Sequence, residues 1–240
     1  MPPRHLPLIA LALLLAAPSF AAPATRPATQ PVAKPLFPQP GVPQGWSARL
    51  WSDVAKPGPD GTGWRVDDAG VLHCNGTRGS WLVSDAEFGD FVLSFEFKLP
   101  ERGNSGVGIR FPAAGDPAFD GIEIQMADER YNEGRDGPDK LTGSLYKALA
   151  PTKQAYKPGE WNRYVITAVG PRVRVELNGE LVQDVNLDEQ KAAVERHDGK
   201  PAPPLKDRPR RGRIGFQELS RGGGHVMIRD ARLAEVEGTK

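Results

Sequence analysis

Hydrophobic and polar residues alternate along much of this chain. In "DFVLSFEFKLP", Phe91, Leu93, Phe95, Phe97 and Leu99 fall on one side, and Val92, Ser94, Glu96 and Lys98 on the other. A period of two is the pattern of a strand with one face in a core. "SGVGIRFP" repeats it, with Val107, Ile109 and Phe111 on one face and Gly108 and Arg110 on the other. "DGIEIQMADE" sets Ile122 and Ile124 against Glu123 and Gln125, with Asp128 just beyond. Further short runs follow: "SWLVSD", "GSLYKAL", "WNRYVITAVG", "RVRVELNGELVQDV" and "RIGFQEL…HVMIRDARLAEV". Gly, Pro, Asn and Asp break them apart. Asn178-Gly179 in "ELNGEL" is a two-residue hairpin signal, and "WRVDDAGVLHC" predicts another hairpin around Asp67 to Gly70. The best helical candidate, "DEQKAAVERH" from Asp188 to His197, is short and polar. Many strands with regular turn signals predict an all-β sandwich, one domain with a curved sheet.

The N-terminus has a different pattern. Arg4 and His5 precede an apolar run from Leu8 to Ala17, and Ser19-Phe20-Ala21 forms a small-x-small cleavage pattern. Residues 1–22 therefore read as a secretory signal peptide, predicting a periplasmic or extracellular protein. The apolar run falls short of the roughly 20 residues of a membrane span, so no stable membrane insertion is expected after cleavage. Residues 23–44 are rich in Pro, Ala, Thr and Gln and read as a disordered linker. Residues 45–237 are left as the domain, long enough for a substantial core.

Charge and cysteine usage narrow the function classes. The net charge is +1, so no global field favours nucleic acid or an anionic membrane. The basic cluster "RPRRGR" (Arg208 to Arg213) reads as a solvated loop. Cys74 is the sole cysteine and alternates in phase with Leu72. It reads as a small buried apolar residue, and the fold has no internal disulfide.

Candidate chemistry lies on the polar strand faces. Glu96, Lys98, Arg110, Glu123, Gln125 and Tyr146 occupy such faces. Opposed charges on neighbouring strands also pair as ordinary cross-strand neighbours. The competing reading makes these faces the floor of a site. Glycines at Gly103, Gly106, Gly108 and Gly121 favour the floor, because Gly in a strand often marks the approach of a ligand. "GNSG" adds Asn104 and Ser105 as donors where a strand begins. The five tryptophans serve a core or stack on a sugar. The four histidines show no metal-ligand spacing, and no nucleophile elbow or phosphate loop is present. "NEGRDGPD" shares only its oxygen content with a calcium loop and reads as solvated.

At "GNSGVGIRFP", "DGIEIQMAD", "TGSLY", "PGEWN" and "LNG", in that order, the chain resembles the 3-keto-disaccharide hydrolase domain family. The resemblance runs from about Gly45 to Val236. It implies a concanavalin-like jelly roll, distantly akin to laminarinase-type glucanases, and a carbohydrate substrate. Family members often carry a His before the "NG" turn and another after the late Gln. Here those places read "RVRVELNG" and Gln217-Glu218-Leu219.

An ordinary glycosidase needs two carboxyl groups flanking the bond. Gln125, an amide, stands where a partner for Glu123 would be, and Asp128 is the alternative. The resemblance implies single-base chemistry instead: proton abstraction beside a C3 ketone, β-elimination and hydration. In that scheme Glu123 is the base and Arg110 or Lys98 stabilises the enolate. Gln125, Asn104, Ser105, Tyr146 and Glu96 then contact substrate. The resemblance allows a divalent metal without naming its ligands. A non-catalytic carbohydrate-binding or wall-interaction module is the alternative.

Overall fold

The structure is a computed structural model and describes residues 32–236. The predicted signal peptide and residues 23–31 of the predicted linker lie outside these residues. In chain order the strands are β1 Lys34–Pro35, β2 Trp46–Leu50, β3 Asp53–Pro57, β4 Gly63–Val66, β5 Leu72–Asn75, β6 Ser80–Ser84, β7 Phe91–Lys98 and β8 Asn104–Phe111. A one-turn helix, α1 Pro117–Asp120, leads into β9 Ile122–Ala127. There follow β10 Asn162–Val169, β11 Arg172–Leu177, β12 Glu180–Asn186, β13 Val194–Glu195, β14 Pro201–Ala202, β15 Arg213–Glu218 and β16 Met227–Glu235.

Two antiparallel sheets form a jelly-roll sandwich. The first runs β12-β11-β10-β7-β16-β5-β4, with β1 added beside β16. The second runs β3-β2-β6-β15-β8-β9. The alternating apolar residues meet between them. Leu93, Phe95 and Phe97 of β7 face Val107, Ile124 and Phe216 from the second sheet. Phe95 meets Phe216 edge to face at 5.2 Å and 87°, a favoured aromatic geometry. Asn178 and Gly179 have φ of 54° and 83°, so a type I′ turn joins β11 to β12 as the dipeptide predicts. Cys74 is buried and free, and burial pushes its thiol up to about 12.

Two expectations need correction. The best helical candidate, Asp188 to His197, does not form a helix. One 3₁₀ turn covers Leu187–Glu189, and Val194–Glu195 becomes β13, paired with β14. The segment has no apolar face to bury, which a helix needs for its stability. The linker also ends earlier than residue 44. Lys34 and Pro35 pair with Leu233 and Arg232 of β16. Phe37 packs on Trp46 and Phe216 at 5.1 and 5.9 Å. Leu36 and Phe37 are the apolar anchors that draw this proline-rich segment onto the domain.

The outer face of the second sheet positions the site, and a break in strand phase divides that face. Pairing of β15 with β8 shifts register between Arg213 and Gly215. Opposite that shift, Arg110 takes φ of 53°, a backbone region costly for residues other than Gly. Phe111 is thereby turned outward and packs with Val54, Trp81 and Val83. Gly108 makes this possible, since a Cβ there would stand 3.1 Å from the Phe111 ring. One half of the face is sealed by this apolar group, and the other half stays open.

Candidate active site

The open half is a cleft of about 340 Å³. Its floor is built from Glu123 and Gln125 of β9, Asn104 of β8 and Gln217 of β15. The alternation of β9 puts Ile122 and Ile124 in the core and turns Glu123 and Gln125 into the cleft. Glu123 lies over the bare backbone of Gly106, where a Cβ would stand 2.0 Å from its Oε1. Asp116, Tyr146 and His197 form one wall, and Tyr131, Arg78 and Arg221 line the cleft as well.

Glu123 is 3% exposed. Among the described residues no group donates a hydrogen bond to its carboxyl. Burial, reinforced by the charge of Asp116, raises its pKa well above the usual carboxylate range. Asp116 caps α1, its Oδ1 accepting from the Ala118 amide at 3.0 Å, with Pro117 in the first helical turn. Burial pushes the Asp116 carboxyl up to about 7. Burial thus keeps the two carboxyls from both ionising near neutrality.

The rest of the site is amide and aromatic. Gln125 Oε1 accepts from the Met126 amide at 3.0 Å, which leaves its amide nitrogen for the cleft. Asn104 Oδ1 is buried without a donor. Tyr146 stays neutral, its hydroxyl pKa raised by burial and by Glu123. His197 stacks edge-on against Phe119 and Trp51 at 5.1 and 5.6 Å. Burial, then Lys147 and Lys140, lower its pKa, so it enters as a neutral ring. An ion pair between Arg196 and Asp120 anchors this wall to α1.

Of the residues expected from sequence, Glu123, Gln125, Asn104 and Tyr146 come together here. Five others do not line the cleft. Arg110 is fully buried and clamps two loops, donating to Gly89 O at 2.8 Å, Gly170 O at 2.7 Å and Asp90 Oδ1 at 2.9 Å. Its positive φ takes it out of the phase that strand alternation implies. Glu96 and Lys98 lie in the first sheet, where Glu96 is paired with Arg229 at 2.7 Å. Asp128 is buried, yet Arg130 at 2.8 Å and backbone amides hold its carboxyl below the usual range. It organises the turn after β9. Ser105 alternates with Asn104 and donates to Gln217 O at 2.6 Å within the sheet.

Sequence reading missed Asp116, His197 and Gln217, as well as Asn132 and Asp136 of the loop read as solvated and Lys140 just after it. "DP" before an apolar pair was the available signal for Asp116, because Asp then Pro is a helix-start pattern. "RPRRGR" is also more than a solvated loop. Arg208 is buried, donating to Ala118 O and Gly121 O at 3.0 and 2.9 Å. Among the described residues no group of three or more His, Cys, Asp or Glu could hold a metal ion, so the donor set does not fit a divalent cation and no step is routed through one.

A candidate glycosyl hydrolase from Parabacteroides distasonis superposes with a TM-score of 0.67 at 25% identity, covering 85% of this chain and 100% of that one. Two further candidate glycosyl hydrolases of that organism share the fold. One has a TM-score of 0.59 at 24% identity, over 85% and 84% of the two chains. The other has 0.59 at 22%, over 82% and 91%. Among curated proteins none matches. A family model, the 3-keto-alpha-glucoside-1,2-lyase-like domain, matches residues 33–234, and the chain belongs to that family.

Proposed function

We propose that the cleft cleaves the glycosidic bond of 3-keto-glycosides by elimination, followed by hydration. One observation carries this reading: Glu123 is a buried carboxyl without a protein donor, beside a second carboxyl of raised pKa. In the state in which Asp116 keeps its proton and Glu123 has lost its own, Glu123 is a poorly solvated carboxylate and a strong base. It removes the C2 proton, made acidic by the C3 ketone. The C2–H electrons delocalise onto the ketone oxygen as an enolate. They then form the C1–C2 double bond as the C1–O bond breaks. Asp116 protonates the departing oxygen. Asp116, now ionised, takes a proton from a water whose oxygen adds at C1, and Glu123 returns its proton to C2, giving the free 3-keto sugar and restoring both carboxyls.

Amide donors replace the cations expected from sequence. Gln125 and Gln217 border the reacting ring and stabilise the enolate oxygen. Asn104 Oδ1, lacking a donor of its own, receives a sugar hydroxyl. Residues 1–22 would direct the chain out of the cytoplasm, and N-terminal sequencing of exported protein tests this.

The functional test compares a 3-keto-disaccharide with its parent disaccharide. Release of monosaccharide from the keto form alone is expected. Glu123→Gln should lower kcat/KM by about 10³-fold, within the usual range for loss of acid–base catalysis. Cleavage of the parent sugar would establish ordinary glycoside hydrolysis instead. Binding without release from either sugar would establish a carbohydrate-binding module.

A further inference from the structure

The cleft has a second pole. Asn104 of β8 is registered with Ala127 of β9, four residues beyond Glu123, or about 13 Å along a strand. At this end the Arg78 guanidinium donates to Leu219 O at 3.1 Å and to the Tyr131 hydroxyl at 3.2 Å. The Arg221 guanidinium lies 4.5 Å from the Tyr131 ring centroid. Stacking fixes its plane, and among the described residues its side-chain N–H groups have no protein acceptor. Among the described residues neither arginine forms an ion pair, unlike Arg110, Arg130, Arg172 and Arg229. All three side chains line the same cleft as Glu123, and so does Asn104, whose buried Oδ1 lacks a donor.

We propose that Arg221 and Arg78 form a subsite for an oxyanion carried on a second sugar ring, either the carboxylate of a uronic acid or a sulfate ester. A planar guanidinium fork matches two oxygens of one acid group. The orphaned Asn104 acceptor adds a place for a hydroxyl of the same ring. The subsite makes the substrate class acidic glycosides rather than neutral ones. The inference rests on the cleft being a glycoside site, but not on the elimination chemistry.

Calorimetry on the intact protein tests it with unoxidised disaccharides, which the proposed reaction does not consume. Three ligands are compared: one with a terminal glucuronate, its glucose counterpart and a sulfated form. At low salt the glucuronate or the sulfated sugar should bind about tenfold tighter than the neutral one, equivalent to about 1.4 kcal/mol. The tighter of the two identifies the anion. Arg221→Gln should reduce that preference to about twofold without moving Tm, and 0.5 M NaCl should weaken it in the unaltered protein. Equal binding of all three by the unaltered protein overturns the subsite, and so does a preference that survives Arg221→Gln. Keto-sugar cleavage is scored separately. An anion preference without cleavage removes the elimination reading and leaves the subsite standing, and cleavage without preference does the reverse.

Discussion

The outer faces of the two sheets have the same alternation and opposite fates. On the first, Glu96 is bonded to Arg229 at 2.7 Å, and Arg229 lies over the Trp161 ring at 4.1 Å. On the second, Glu123 has no donor, and Asn104 Oδ1 is buried without a partner. Both faces are polar and carry a glutamate. The difference is whether the polar capacity is satisfied inside the protein. Buried groups left unpaired cost about 1–3 kcal/mol each, so a native face that keeps several holds them ready for something else.

Four substitutions sharpen this contrast, beginning with the largest effect. Arg110→Ala removes a cation that belongs to neither face. It leaves two carbonyls without their donor and takes the ion pair from Asp90, which keeps only the Gly170 amide, and should cost about 3–5 kcal/mol in urea denaturation. Preserved stability would mean the clamp is dispensable. Gly106→Ala should push the Glu123 carboxyl aside while leaving the sheet intact. Misplacement of about 1 Å lowers activity by roughly 10²-fold, and steady-state kinetics beside an unchanged melting curve would show it.

Asp116→Asn is read through pH. The folded Asp116 has a pKa raised from 3.8 to about 7. Its contribution to stability is therefore complete below 3.8 and lost as pH rises through about 7. Asn cannot ionise and escapes that loss. The variant should match the parent near pH 4 and exceed it at pH 8 by about 2 kcal/mol, or roughly 4–8 °C in Tm. An equal difference at both pH values would refute the buried-acid assignment. Glu96→Gln should do least: under about 1 kcal/mol in stability, with turnover unchanged.

Much of this was legible in the sequence, and the failures have local causes. Strand phase placed Glu123 and Gln125 together, and the "NG" turn fixed the β11–β12 hairpin. Phase alone could not separate Glu96 from Glu123, because pairing with Arg229 depends on strand order. Arg110 was misplaced because a register shift and one positive φ interrupt the alternation. Asp116 and His197 reach the cleft from connections between strands, where periodicity carries no information. Asp116 had a helix-start signal, but His197 ended a short polar segment whose only reading was a weak helical candidate.

Cys74 has a use of its own. The thiol is enclosed and held in its protonated, unreactive form. Because the chain has no second cysteine, a folded molecule has no partner for intramolecular disulfide exchange. A thiol reagent reaches this sulfur when the sandwich opens, so labelling kinetics count opening events without a fluorophore, tag or engineered reporter.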